Sequence, residues 1–476
     1  MDIKLFQDTE VTVMGLGRFQ QGSGMATARW LISHGAQVLI TDLKSEEELK
    51  DSVSSLIAWF DEYRAKYPSA RLHTPLFALG AHREEDFQNA KFIFQNPDVM
   101  PDSLFLHIAK ERKIPIYSDV SLFFELYAHP IIAVTGTKGK SSTSSWIFDM
   151  CSRMDPKTIV AGNIKVSPLE YLDDLLNDTK THPVILELSS SQLETLESSR
   201  APEIGVLINI YPDHLNRHRT MKAYINAKML IFKNQTKDQS AILNWDQQNV
   251  RELAKALNGK CYWFSTHEEV EQGAFVRDGK IVLRIGKAEE IITSVASIGL
   301  FGEHNLSNAL ASAVAARLAG VSAEHIRASI EQFAGIPDRQ EILRSWEGIV
   351  FVNDTTATQP DAAIAAIKRF AKENNIILLA GGASKKLPME EFAKEIIKSC
   401  KYAILFAGAG TDELVAHLRG SIDFEIVDSM QKAVDLALSR AQSGDIVLLS
   451  PGTASFGVFK NEFDRGDQFK EVVMKF

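Results

Sequence analysis

The sequence predicts an α/β protein of three domains, and three observations lead to this prediction. The chain has 476 residues, which is too long for a single core and corresponds to about three domains of roughly 150 residues. Short apolar runs alternate with helical patterns in its first and last thirds, as in open parallel sheets. Between them, a strand pattern leads through a glycine-containing loop into a helix. We place the domains at residues 1–127, 128–335 and 336–476.

Charge and cysteine content narrow the class of protein. The formal net charge is −9, so no global basic field would attract nucleic acid or an anionic membrane. The three cysteines, Cys151, Cys261 and Cys400, are far apart, which argues against a disulfide framework and favours a reducing compartment. The first ten residues lack the apolar core of a signal peptide, and no apolar run reaches transmembrane length. We expect a soluble, cytoplasmic monomer.

The first domain begins with a strand pattern and a glycine cluster. The strand leads into Gly15-Leu16-Gly17, and a second strand pattern ends at Asp42. The dinucleotide fingerprint would need a glycine where the chain has Gln20, and the next glycines come later, as though the loop from 18 to 24 were lengthened. The loop still suits a pyrophosphate. Asp42 could meet a ribose, although it could equally be a strand-end residue that faces water. We expect a nucleotide-type ligand other than a dinucleotide.

The second domain carries the strongest signal in the chain. An apolar strand pattern ends at Val134, and Gly136-Thr137-Lys138-Gly139-Lys140-Ser141-Ser142 leads into a helical pattern. Glycines allow the backbone to approach phosphate oxygens, Lys140 can reach the outer phosphates, and Ser141 can bind magnesium. The spacing is one residue tighter than in the common phosphate loop. A surface turn with an incidental lysine is the alternative, but the position between a strand and a helix favours a nucleotide phosphate.

Three polar residues farther along could complete this site. Glu187 ends a buried strand pattern, and His214 follows the next one. Such strand ends face the ligand crevice of an open sheet, where an acid and a histidine can bind magnesium. A single histidine in a turn is, however, more often only hydrogen-bonded. Lys228 lies in an apolar helical stretch, where the residues alone favour a surface lysine with a buried stem.

Two asparagines open a long alanine-rich helix. Asn305 and Asn308 are three positions apart, so they share one helical face. Their amides could bind the edge of a nucleotide base, or they could merely cap the helix.

The last domain repeats the open α/β pattern, and polar loops follow its strands. These loops lie at 353–358, 381–386 and 450–455. Hydroxyl groups and a lysine at neighbouring strand ends would form a pocket for a small anionic substrate. Any one of these loops by itself could be ordinary.

In this order the segments resemble those of the Mur ligases of peptidoglycan synthesis, along nearly the whole chain. The segments shared with the wider superfamily are 136–141, 187–190, Asp213-His214, 302–305 and 337–339. Those similar to the branch that adds D-glutamate are 187–194, Asn353-Asp354 with Ala357-Thr358, 448–451 and 459–461.

The resemblance implies both an architecture and a reaction. The architecture would be a Rossmann-like UDP-binding domain, a central P-loop ATPase domain and a C-terminal Rossmann-like domain. The reaction would be the ATP-dependent addition of D-glutamate to UDP-N-acetylmuramoyl-L-alanine through an acyl phosphate, with ATP and magnesium (Mg2+) as cofactors. The C-terminal domain would close on ATP and exclude water from the acyl phosphate.

The resemblance also implies a role for each matching residue. The catalytic residues would be Lys140, Glu187, His214 and Lys228, and Mg2+ would be held by Ser141, Glu187, His214 and a carbamylated Lys228. The ATP-binding residues would be Gly136, Thr137, Lys138, Gly139, Lys140, Ser141, Ser142, Asn305, Asn308, Arg339 and Asp354. The UDP-substrate would meet Gly15, Leu16, Gly17, Asp42 and Asn163, and the amino acid would meet Thr358, Lys385 and Ser455.

Two departures from the family pattern bear on the amino-acid pocket. Thr356 stands where many members have a lysine, and Glu462 stands where an aromatic residue is common. A sister ligase with another amino acid is therefore one alternative. A second is a nucleotide-sugar-binding paralogue without catalysis, but it predicts damage to the four catalytic residues, and all four are intact. A nicotinamide dehydrogenase would leave the phosphate loop unexplained.

Overall fold

Three β-sheets organise the computed structural model, which describes residues 1–17, 20–164, 166–300, 302–333, 335–372 and 374–476. The chain divides into two compact units, Met1–Phe333 and Ala334–Phe476. The first unit contains two of the sheets and the second contains one, so the predicted α/β class is confirmed. The lengthened loop predicted at 18–24 includes Arg18 and Phe19, which lie outside the described residues.

The first sheet is parallel throughout. Its strands are β1 (Glu10–Met14), β2 (Gln37–Asp42), β3 (Leu76–Leu79), β4 (Phe92–Gln95) and β5 (Ile116–Tyr117), and its helices are α1 (Ser23–Ser33), α2 (Lys50–Lys66), α3 (Glu84–Gln88), α4 (Leu104–Glu111) and α5 (Asp119–Leu126). The strand order is β3-β2-β1-β4-β5. The order therefore reverses between β1 and β4, which is where ligands bind in open sheets of this kind.

The second sheet carries the phosphate loop. Its strands are β6 (Ile132–Thr135), β7 (Ile159–Gly162), β8 (Val184–Glu187), β9 (Ile204–Leu207), β10 (Ser240–Asn244), β11 (Lys260–Ser265), β12 (Gly273–Arg277), β13 (Lys280–Ile285) and β14 (Ala288–Ser294). The helices are α6 (Lys140–Ser152), α7 (Leu172–Asn177), α8 (Ser190–Glu194), α9 (Leu215–His218), α10 (Met221–Met229), α11 (Gln248–Ala254), α12 (Glu303–Leu318) and α13 (Ala323–Gln332). Strand β6 pairs in parallel with β8 and with β9. Residues that follow β8 and β9 therefore flank the phosphate loop.

The third sheet forms the second unit. Its strands are β15 (Glu341–Trp346), β16 (Ile349–Asn353), β17 (Ile376–Ala380), β18 (Cys400–Phe406), β19 (Phe424–Val427) and β20 (Ile446–Leu449), and its helices are α14 (Pro360–Phe370), α15 (Glu390–Ser399), α16 (Ala409–Leu418), α17 (Met430–Arg440) and α18 (Glu462–Val473). The order is β15-β16-β20-β17-β18-β19, so the loops after β16, β20 and β17 lie side by side. In the described part of the chain, no helix has both the length and the apolar character that a membrane span requires.

A histidine between two carboxylates makes the stability of the first unit depend on pH. His182 is 7% exposed, with Nδ1 at 2.7 Å from Asp155 and Nε2 at 3.1 Å from Asp178. The hydrogen bond to Asp155 raises the pKa of His182 above its usual value, and Asp178 adds to this effect against desolvation. The imidazolium therefore stabilises the fold fully below the unfolded pKa of roughly 6.5, and this contribution is lost as pH rises through the higher folded value.

We expect His182→Gln to lower the melting temperature by about 2 to 4 °C at pH 6 and by much less at pH 9, because only the charged ring bonds both acids. The measurement is thermal unfolding at both pH values. His107→Gln is the control, because that ring is exposed and its hydrogen bond in the described structure is to the backbone carbonyl of Ser103, the N-cap of α4. An equal decrease for His182→Gln at both pH values would contradict the assignment.

Candidate active site

The phosphate loop has the geometry of an anion-binding helix start. Strand β6 ends at Thr135, and α6 begins at Lys140 with Gly139 as its N-cap. Gly139 has a φ of +84° and provides no side chain to cap the helix. The amides of the first helical turn have no intrahelical acceptor, so they are suited to phosphate oxygens. The strand–loop–helix arrangement predicted from the sequence is confirmed.

Asn209 holds this loop in place, a role that was not predicted from the sequence. Its Oδ1 accepts the amides of Thr137 at 3.1 Å and Lys138 at 2.9 Å, and its Nδ2 donates to the Lys138 carbonyl at 3.0 Å. The amides of Thr137 and Lys138 are therefore already bonded within the protein. Those of the first turn of α6, from Lys140 to Ser142, are the ones oriented for a ligand. Asn209 lies just after β9, and only the pairing of β9 with β6 shows that it is beside this loop.

Two lysines converge on one carbonyl of the loop. Lys140 Nζ donates to the carbonyl oxygens of Gly136 and Thr137, both at 3.1 Å, and Lys228 Nζ donates to Gly136 at 2.8 Å. Lys228 is only 1% exposed, so its interpretation as a surface lysine is wrong. Desolvation, together with the charge of Lys140, lowers the pKa of Lys228 to about 7, against a smaller opposing effect of Asp213. A large fraction of this amine is therefore neutral near neutral pH.

Glu187 lies at the carboxyl end of β8 and is 1% exposed. Its Oε1 accepts Asn163 Nδ2 at 2.8 Å, which brings two of the predicted site residues together. Its Oε2 is buried and has no hydrogen-bond partner in the described structure. A buried carboxylate oxygen without a hydrogen bond destabilises the fold unless a ligand or an ion binds to it.

His214 lies in the turn after β9 with a φ of +51°, and its side chain is 59% exposed. Its Nε2 is 3.9 Å from Asp213, which also lies 3.4 Å from Lys138 Nζ. The ring is thus held loosely at the mouth of the site. Within the described residues, no three histidine, cysteine or acidic side chains converge as a ready-made metal site.

The asparagines of α12 lie against the phosphate loop. Gly302 is the N-cap residue of α12, and both asparagines lie within the first two turns of this helix. Both are buried, at 4% exposure. A Cβ atom on Gly139 would lie 2.6 Å from Asn308 Oδ1. Asn308 therefore packs on the backbone that turns into α6.

We expect Gly139→Ala to weaken nucleotide binding at least tenfold, because a Cβ there is strained at positive φ and must displace Asn308. Gly320→Ala is the matched control, since Gly320 has a φ of +94° and open space around the added atom. Both variants should lose roughly 1 to 2 kcal/mol of stability to backbone strain. Titration with a fluorescent ATP analogue measures the binding. Equal affinities for the two variants would contradict the role given to this contact.

The glycine loop of the first sheet is bound by two side chains. Asp42 Oδ2 accepts the Leu16 amide at 3.0 Å, and its Oδ1 accepts the Lys44 amide at 3.0 Å. Asp42 therefore shapes the loop, and the interpretation of a strand-end residue facing water is wrong, since it is 7% exposed. A Cβ on Gly15, whose φ is +94°, would lie 2.9 Å from Asn96 Cβ. Asn96 was missed because only the sheet order shows that it neighbours the loop.

One cavity of about 810 Å³ joins these elements within the first unit. Gly17 and Asn163 line it together with Lys140, His214 and Lys228. The side chain of Asp42 and that of Glu187 do not line it, but each bonds a residue that does. The predicted sites for two different ligands thus open into a single space.

The second unit gathers the three residues predicted to bind the amino acid. Lys385 Nζ donates to Thr358 Oγ1 at 2.8 Å. The loops that carry Lys385 and Ser455 are joined by a pair of backbone bonds between Ala383 and Ala454. Thr356, at the position of the missing lysine, bonds the Asp338 carbonyl through its hydroxyl at 2.9 Å.

Asp354 in the same unit is 2% exposed and Arg339 is exposed. The carboxylate of Asp354 accepts the Ser450 hydroxyl at 2.7 Å and the Gln340 amide at 3.1 Å. Desolvation raises the pKa of Asp354 to about 7, although these hydrogen bonds oppose the increase.

Comparison with known proteins gives two family models that match this chain. Residues 134–316 match the Mur ligase middle domain, and residues 338–452 match the Mur ligase, glutamate ligase domain. The chain is 39% identical, over 98% of both proteins, to UDP-N-acetylmuramoylalanine--D-glutamate ligase of Roseiflexus sp. (strain RS-1). It is 35% identical to the protein of the same name from Koribacter versatilis (strain Ellin345), over 98% of this chain and 97% of the relative. The structure of a MurF ligase from Thermotoga maritima in complex with ADP aligns with a TM-score of 0.52 at 16% identity over 100% of both chains, a likeness of fold alone.

Proposed function

Because the chain belongs to the Mur ligase family, we propose that it uses ATP to join D-glutamate to the carboxylate of UDP-N-acetylmuramoyl-L-alanine, in the synthesis of peptidoglycan precursors. The observation that carries this proposal is the shared cavity. The phosphate loop at Lys140 and the glycine loop at Gly17 open into the same space of about 810 Å³. Such a space suits an enzyme that must bring a nucleotide-linked carboxylate to the γ-phosphate of ATP.

The residues on the phosphate-loop side fit Mg2+. Glu187 Oε2 is a buried carboxylate oxygen without a partner among the described residues, and hard oxygen ligands are those that Mg2+ prefers. We propose that Glu187, Ser141, His214 and a modified Lys228 hold the ion. When bound, Mg2+ would neutralise charge on the transferring phosphoryl group.

The buried amine of Lys228 fits the carbamylation that the family resemblance implies. A neutral amine attacks the carbon of CO2, a new N–C bond forms, and one proton is released to solvent. The product is a carboxylate at the position of a cation. Because burial and Lys140 both favour the neutral amine, Lys228 is the lysine of this site that is prepared for this step.

The reaction we propose has two steps. First, the alanyl carboxylate attacks the γ-phosphorus of ATP, which yields an acyl phosphate and ADP, while Lys140 at the start of α6 stabilises the developing charge. Second, the D-glutamate amine attacks the acyl carbon, loses a proton, and the tetrahedral intermediate expels phosphate. Thr358, Lys385 and Ser455 are proposed to bind D-glutamate, since a lysine and hydroxyl groups suit its carboxylates. Arg339, Asp354, Asn305 and Asn308 are proposed to bind ATP.

We also propose that the protein acts as a cytoplasmic monomer on small-molecule substrates. Its three cysteines are free thiols, two of them buried, which is consistent with a reducing compartment.

The test is phosphate release with ATP, Mg2+ and UDP-N-acetylmuramoyl-L-alanine, comparing D-glutamate with L-glutamate, lysine and meso-diaminopimelate. We expect release with D-glutamate alone and a ligated product of the matching mass. Release with another amino acid would keep the ligase reaction and assign a different amino-acid substrate to this enzyme. No release with any of them would refute the proposed activity.

A further inference from the structure

A buried acid lies in the wall of the shared cavity, and none of the roles above uses it. Asp119 is 1% exposed and lines the cavity together with Ser23 and Asn163. Its Oδ2 accepts the hydroxyl of Ser167 at 2.7 Å. Its Oδ1 is buried without a partner in the described structure. Burial raises the pKa of this carboxyl.

Capping of α5 does not account for Asp119. The helix is already capped by Ser118, whose side chain accepts the Ser121 amide while the Ser121 hydroxyl accepts the Ser118 amide. A buried carboxyl that is incompletely hydrogen-bonded lowers the stability of the fold, and here it is not needed to cap the helix. The position of its hydrogen-bond partner Ser167 therefore indicates its role.

Asp119 lies where the two walls of the cavity meet, beside Ser23 and bonded to Ser167. Ser23 is the first residue of α1 and directly follows Gly22 of the glycine loop. Ser167 follows the segment that carries Asn163, and its amide donates to the Gln21 carbonyl at 2.8 Å. One wall comes from the first sheet and the other from the second, and Ser167, which bonds both Asp119 and Gln21, links them.

We propose that Asp119 is a positioning residue for the nucleotide-sugar substrate, which fixes the spacing between the glycine loop and the Asn163 segment through its hydrogen bond with Ser167. The inference rests on the proposed function. A nucleotide sugar with a diphosphate must contact both walls at once, so a change in their spacing weakens its binding. ATP binds through the loop at Gly136–Ser142, which Asp119 does not contact in any described hydrogen bond.

The test compares Asp119→Ala, Asp119→Asn and Ser167→Ala in the full-length protein. We expect Asp119→Ala to raise the KM for UDP-N-acetylmuramoyl-L-alanine about tenfold, as for the loss of buried hydrogen bonds. The KM for ATP and kcat should stay within about twofold. Asp119→Asn keeps one acceptor oxygen and should recover about half of the effect on a logarithmic scale. Ser167→Ala should act in the same direction as Asp119→Ala.

Glu395→Gln is the matched control. Glu395 is a buried acid of the second unit that accepts a serine hydroxyl, Ser399 Oγ, at 2.7 Å. Its substitution should leave both KM values unchanged.

Calorimetric titration of each variant with UDP-N-acetylmuramoyl-L-alanine, without ATP, separates this inference from the proposed function. If the wild-type protein binds the compound and the Asp119 variants bind it equally tightly, the inference is wrong while the function stands. If the Asp119 variants raise both KM values to the same extent and also lower the melting temperature, Asp119 has a merely structural role. That result would also overturn the inference. If the wild-type protein does not bind the compound, the inference and the proposed function fail together.

Discussion

Lys228→Ala is expected to lower kcat about 10³-fold, and a short carboxylate such as formate or acetate in the buffer should restore part of the loss. The group that the proposed reaction needs at this position is an anion, the carbamate, and removing one such electrostatic group from an active site costs about this factor. A carboxylate that diffuses into the space left by the side chain supplies the missing charge. Steady-state phosphate release over a range of carboxylate concentrations measures both effects.

The stability of this variant distinguishes lost chemistry from lost folding. The Lys228 amine is 1% exposed and desolvated, so its removal takes away a group that the fold accommodates at a cost. We expect the melting temperature to remain within about 2 °C of the wild type or to rise. Lys222→Ala is the matched control, since Lys222 is an exposed lysine of the same helix. Its activity should be unchanged.

Two results would refute the carbamate. One is complete indifference of the Lys228→Ala variant to added carboxylate. The other is the absence of a carbamate carbon in the NMR spectrum of wild-type protein equilibrated with carbon-13 bicarbonate. The second result would not contradict the ligase activity. It would show only that the Lys228 side chain is not carbamylated.

The parallel strands were predictable because burial on both faces gives continuous apolar runs. The polar loops predicted at 353–358, 381–386 and 450–455 each begin within one residue of the end of an observed strand, β16, β17 and β20 respectively. Helices on both sides of a parallel sheet leave no solvent face, so the signal is strong and local. The signal for the phosphate loop was equally local, since its glycines and its lysine lie within a few consecutive residues.

The antiparallel strands β12 to β14 were missed although the sequence contains a signal for them. Asp278-Gly279 joins β12 and β13, and both residues have positive φ, +49° and +69°. An Asp-Gly pair between alternating runs is the usual mark of a two-residue hairpin. Charged residues such as Arg277, Lys280 and Glu289 interrupt the apolar runs of these strands, so the strand pattern did not stand out.

The burial of Lys228 and the role of Asn209 could not be predicted from local pattern. A lysine among apolar residues gives the same helical pattern whether its amine reaches solvent or the core. Its burial follows from the placement of α10 beside Gly136. Asn209 acts on the phosphate loop because β9 pairs with β6, and strand order is a long-range property. The family resemblance identified Lys228 because motif matching carries such tertiary information, but no quoted motif included Asn209.

Lys140→Ala is expected to lower kcat by about 10³-fold or more, with only about a tenfold loss of ADP affinity. Lys140 already lies at the loop, with Nζ on the carbonyls of Gly136 and Thr137, so a short movement brings its charge to the outer phosphates. That charge acts mainly on the transferring phosphoryl group, where negative charge develops in the transition state. Phosphate release gives kcat, and fluorescence titration with labelled ADP gives the affinity.

The difference between the loss in kcat and the loss in ADP affinity tests the phosphate-loop assignment. Loss of the Lys140 charge also removes a cause of the lowered pKa of Lys228, so the variant should hold Lys228 more fully protonated. We therefore expect added carboxylate to leave Lys140→Ala inactive, in contrast to Lys228→Ala, because the lost group is a cation. Lys255→Ala serves as the control, since that lysine is 71% exposed and pairs with Glu252 on a surface helix. Near-normal ATP-dependent activity of Lys140→Ala would remove the phosphate loop from the catalytic site. A loss of ADP affinity with kcat unchanged would restrict Lys140 to ground-state binding.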